Sequence, residues 1–125
     1  MFDVEKLIKE IPESTTIRHR DGCIIVTPHF FHIDSDESIA LKFSETEDGR
    51  PIVTDCGTTR DYLEIMEINL KKYQDKLNAI KERFFIEEDE YGSFVMNIPT
   101  NSIPMARNYI GYFIQAISII ANIDL

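Results

Sequence analysis

The sequence predicts a single α+β domain, a mostly antiparallel sheet with three to four helices and a long apolar C-terminal helix, spanning residues 1–125. Three observations carry this. Between Ile17 and Thr54 the apolar residues fall in short runs broken by Asp-Gly and Pro turns, the pattern of a β-meander. From Thr58 onward they recur at steps of three and four, the helical period. The most apolar stretch, Tyr109 to Ala121, belongs to a helical run starting near Ser102, but it holds Gln115 and Ser118 and, at 13 residues, is too short to span a bilayer.

The elements follow in order. Phe2 to Ile11 has the spacing of a short amphipathic helix stopped by Pro12. Ile17 to Arg20 and Cys23 to Thr27 read as strands around the hairpin signal Asp21-Gly22, the second ended by Pro28. Ser38 to Ser44 alternates, with Ile39, Leu41 and Phe43 on one side. Asp48-Gly49 turns the chain into a strand over Pro51 to Thr54. Thr58-x-x-Asp61 fits a capping box opening a helix that buries Tyr62, Leu63 and Met66. Ile68-Asn69 interrupts it, and a second helix, Leu70 to Phe84, buries Leu70, Tyr73, Leu77, Ile80 and Phe84. A hairpin follows around Glu90-Tyr91-Gly92. The last helix starts near Ser102, with Pro104 in its first turn. Its polar residues Arg107, Gly111, Gln115, Ser118 and Asn122 make one narrow stripe. A helix so apolar is either enclosed by its own domain or meets another chain, through Tyr109, Tyr112 and Phe113. Gly111 weakens that helix by about 1 kcal/mol relative to Ala, which is explained if another element approaches closely there.

Composition bounds the function. The 125 residues hold 22 acids against 13 Lys and Arg, for a net charge of −9. A field of that sign disfavours direct contact with nucleic acid or an anionic membrane and suits a protein partner. The acids cluster. Asp34, Asp36, Glu37, Glu45, Glu47, Asp48 and Asp55 crowd one segment, and Glu87, Glu88, Asp89 and Glu90 are consecutive. On one shared face they could imitate a phosphate backbone and block a nucleic-acid enzyme. Two cysteines are too few for a disulfide framework, and residues 1–13 lack an apolar signal core. Both point to a reducing cytoplasm.

Candidate chemistry is sparse. Asp34, Asp36, Ser38 and Glu45 match calcium-loop positions, but Ile39 stands where the loop needs Gly and a strand pattern replaces the second helix. Cys23, His29, His32 and Cys56 could supply zinc ligands, though their spacing matches no familiar module. Cys56 precedes a helix N-terminus, where a thiol can be activated, and with His29 or His32 beside it would be a nucleophile; a packed turn cysteine is the plainer reading. Asp55 either holds the turn by accepting backbone N–H groups or joins Asp34 and Asp36 in a magnesium-binding cluster for hydrolysis. No phosphate-binding glycine loop or serine triad is present, and no cofactor is expected.

The segment Val26-Thr27-Pro28, Asp34, Asp36, Ile39, Leu41, Gly49, Val53-Thr54-Asp55, Gly57, Thr59, Leu63 is followed by Gln115-Ala116-Ile117 and Ile123-Asp124. Together these resemble the bacterial and phage family catalogued as domain of unknown function 1828, over about residues 17 to 124. Where that family often has Thr-Asp-Asp-Gly, Cys56 takes the third position here. The resemblance implies a small cytoplasmic protein of a prophage or other mobile element. It carries no catalytic residue over. The function expected is a non-enzymatic protein-binding accessory or regulatory module, with the acidic mimic and the Asp-dependent hydrolase or nuclease as alternatives.

Overall fold

The computed structural model describes residues 3–20, 22–32 and 35–125. Asp34, and with it part of the carboxylate cluster, lies outside the described residues, as do Phe2 and Asp21.

Six strands form one antiparallel sheet in the order β1-β2-β3-β4-β6-β5. They are β1 Thr15–His19, β2 Gly22–Phe30, β3 Ser38–Glu45, β4 Pro51–Thr54, β5 Glu87–Glu88 and β6 Phe94–Asn97. The alternation expected in β3 is met: Ile39, Leu41 and Phe43 are buried and the residues between them are not. Register carries the same face across the sheet, setting Cys23 beside Phe43, Phe43 beside Val53 and Val53 beside Met96. Ile24, Lys42, Thr54 and Val95 line the opposite, half-open face. One buried and one wet face is the usual state of an antiparallel sheet.

The helices α1 Val4–Lys9, α2 Thr58–Ile65, α3 Gln74–Phe84 and α4 Ile103–Ala121 cover the buried face. α4 is central and packs against α1, α2 and α3. Its Ala106, Ile110, Phe113, Ala116, Ile117 and Ile120 are fully or almost fully buried. At about 1.5 Å per residue its 19 residues run about 28 Å, roughly the width of the domain.

Three local expectations are corrected. Pro28 does not end β2. The register shifts between Val26 and Phe30, and the buried Thr27 hydroxyl donates to the Ile39 carbonyl at 3.0 Å while accepting the His29 N–H at 3.3 Å. That bulge lets a residue without an N–H sit in a strand. Thr58 is not the cap of α2. Gly57 is, with φ 78°, and the Thr58 hydroxyl instead donates to the Asp55 carbonyl at 2.7 Å. Met66 is exposed because α2 has already ended: Glu67 turns left-handed at φ 60°, and the Ile68 N–H closes on the Leu63 carbonyl at 2.9 Å. This reversal is the interruption expected at Ile68-Asn69, and a 3-10 turn over Leu70–Tyr73 then leads into α3.

Candidate functional site

Asp55 is fully buried at the β4–α2 junction. One carboxylate oxygen accepts the N–H groups of Gly57 at 3.0 Å and Phe94 at 2.9 Å; the other accepts that of Thr59 at 3.2 Å. Three backbone donors therefore point at one carboxylate, tying β4, α2 and β6 together. Asp36 is exposed in the loop before β3. Among the described residues no three of His, Cys, Asp and Glu converge to hold a metal ion. A Cys23, His29, His32, Cys56 set is not assembled among them, and of the expected Asp34, Asp36, Asp55 cluster Asp34 lies outside the described residues. Cys23 and His29 are separated by about 20 Å of extended strand. The calcium-like spacing runs directly into β3.

Cys56 is exposed and left-handed at φ 57°. With Gly57 it forms the two central positions of a tight turn closed by the Thr58 N–H on the Asp55 carbonyl at 3.2 Å. Partial burial pushes its thiol above the ordinary value of 9.0, and the carboxylates of Asp55 and Asp89 add to that against the opposing charge of Lys42. The thiol is thus less ionised than a free one, which speaks against the nucleophile alternative, and its exposure departs from the plainer reading of a packed turn cysteine.

The two acidic clusters are largely divided or occupied. β3 separates Asp36 and Glu37 at one end of the sheet from Glu47 and Asp48 at the other, about 25 Å away along the strand, with Glu45 closing it. Asp48 is bound to Thr46 and Arg50, which hold its carboxyl below the ordinary value. Glu88 bridges Arg60 at 2.9 Å and Lys81 at 3.3 Å. Asp89 accepts the N–H groups of Tyr91 and Ser93, each at 2.9 Å, and so shapes the β5–β6 turn. Glu87 and Glu90 are exposed.

The surface of α4 is different. Phe113 is fully buried in the chain's own core and Tyr109 is half-buried against it, so of the three residues expected at an interface only Tyr112 is well exposed. Two residues not expected there join it: Met105 is 53% exposed, Tyr112 47% and Ile119 39%. They are spaced by seven, so they line up along one edge of the helix. Tyr109 meets Tyr112 edge-on at 6.3 Å. Beside the stripe a groove of about 440 Å³ is lined by His29, Phe30, Gly111, Ile114, Gln115 and Ile119, together with Ser118. Phe30, 50% exposed, is set on its far side by the β2 bulge. Among the described residues, no atom beyond Gly111's own chain neighbours and its helix backbone lies within 4 Å of where a Cβ on Gly111 would stand. The close approach expected at Gly111 is not made by any of the described residues. The seven-residue spacing could have been read in the sequence; the exposure of Phe30 could not, because it depends on the bulge.

No family model, curated protein or solved structure matches the chain. Among the described residues no helix is long and apolar enough to cross a membrane.

Proposed function

We propose that this chain is a non-enzymatic protein-binding module, an accessory or regulatory factor of a mobile element in the cytoplasm, and that it binds through the exposed edge of α4. The observation that carries the reading is the apolar stripe Met105, Tyr112 and Ile119 beside the Phe30 groove. Exposed aromatic and Met side chains around a concave surface are what protein interfaces favour. The motif resemblance around Val53-Thr54-Asp55 supports the mobile-element setting. The Asp-based hydrolase is not favoured, because the three amides on Asp55 already use both carboxylate oxygens. The acidic mimic is not favoured, because β3 splits its first cluster and ion pairs or turn amides occupy much of the second.

A photo-reactive phenylalanine analogue at Tyr112 tests the reading in cells expressing the full chain, with Ile65, 78% exposed on α2, as the control position. A covalent adduct from position 112 and none from position 65 is the expected result. No adduct from position 112 contradicts the reading.

A further inference from the structure

We infer that the occupant of the α4 edge is a second copy of this chain, the two helices crossing antiparallel about a two-fold axis near Tyr112. The inference rests on the binding face proposed above and names its partner. Three observations lead to it. First, the exposed residues Met105, Asn108, Gly111, Tyr112, Gln115 and Ile119 carry no charge in a chain of net charge −9, and the one charged residue of α4, the exposed Arg107 on the Gly111 side, is paired with Glu10 at 3.1 Å. Two such chains repel through most of their surface, and an uncharged face is where they meet without opposing like charges. A basic partner would find nothing there to pair with. Second, the apolar stripe reads the same from both ends. Met105 and Ile119 each lie seven residues, about 10 Å of helix, from Tyr112. A two-fold axis at the midpoint therefore brings Met105 towards the partner's Ile119, and the two Tyr112 side chains together, as an isologous interface requires. Third, the space over Gly111 is open within the chain, which is the gap a neighbouring helix uses to come close. On each protomer Phe30 then walls the groove in which the partner helix lies.

The test uses the full chain. Light scattering with size-exclusion chromatography is expected to give twice the 14.5 kDa protomer mass. Tyr112→Glu, at an exposed position, weakens association by about thirtyfold or more. Gly111→Ala raises the thermal stability of the protomer while weakening association, opposite effects that a purely internal role for Gly111 does not produce. With Cys23 and Cys56 replaced by Ser, Tyr112→Cys alone and the double change Met105→Cys with Ile119→Cys form disulfide-linked dimers on mild oxidation, whereas Met105→Cys alone does not. Linking by Met105→Cys alone as readily as by Tyr112→Cys overturns the antiparallel arrangement. A protomer mass at every concentration overturns self-association; a photo-adduct of foreign mass at position 112 then leaves the binding reading standing, and the absence of any adduct removes both.

Discussion

Asp55 shows how one buried charge can serve the fold. Its carboxylate accepts the N–H groups of Gly57, Thr59 and Phe94. Asp55→Ala leaves those donors buried and unpaired, and is expected to lower stability by about 3 kcal/mol or more in urea unfolding. Asp55→Asn keeps one acceptor oxygen but turns an NH₂ group towards an N–H, and is also destabilising. The neighbouring Thr59 hydroxyl is fully buried with no hydrogen-bond partner among the described residues. Thr59→Val removes an unpaired polar atom at nearly constant shape and is expected to raise stability by up to about 1 kcal/mol. Cys56 adds a pH dependence. Its raised pKa means that the folded state keeps the thiol proton when the unfolded chain has lost it. Its contribution is therefore present below the ordinary thiol value and declines as pH rises through the folded-state value. Thermal melts from pH 7 to the alkaline range should show this decline in the native chain and a smaller one in Cys56→Ser.

The elements were legible where the period was clean. β3 alternates in sequence and in burial, and β4 runs from Pro51 to Thr54 as expected. Legibility failed where a tertiary group overrode a local signal. Pro28 is a strand breaker by its chemistry, and β2 continues past it through a bulge in which the Thr27 hydroxyl bonds the Ile39 carbonyl of the next strand, twelve residues on. Thr58 looked like a cap because Asp61 follows at the right distance; instead the cap lies one residue earlier at Gly57, where the buried Asp55 carboxylate accepts the Gly57 and Thr59 N–H groups and the Thr58 hydroxyl is turned onto the Asp55 carbonyl. Burial of Phe113 and exposure of Tyr112 are one residue apart on α4, a distinction set by how the sheet and the other helices surround it. Glu67 gives an element-scale test. It is exposed and left-handed, a conformation that costs a side chain about 1 kcal/mol. Glu67→Gly should stabilise the end of α2 by several tenths of a kcal/mol to about 1 kcal/mol in chemical denaturation.

At the scale of the whole molecule, a chain of net charge −9 presents a helix edge whose one charged residue, Arg107, is paired with Glu10. The acids were visible as clusters in the sequence, but not their division by β3 or their capture by Arg60, Lys81 and Arg50. On the α4 edge, with Phe30 across its groove, exposed apolar side chains border a concave surface. The most direct test is hydroxyl-radical footprinting of the purified full chain as its concentration is raised. Falling reactivity at Met105, Tyr112 and Phe30, with Met66, Phe85 and Tyr91 unchanged, is the result expected if the edge pairs with itself. Uniform reactivity at all six across the concentration range would contradict it.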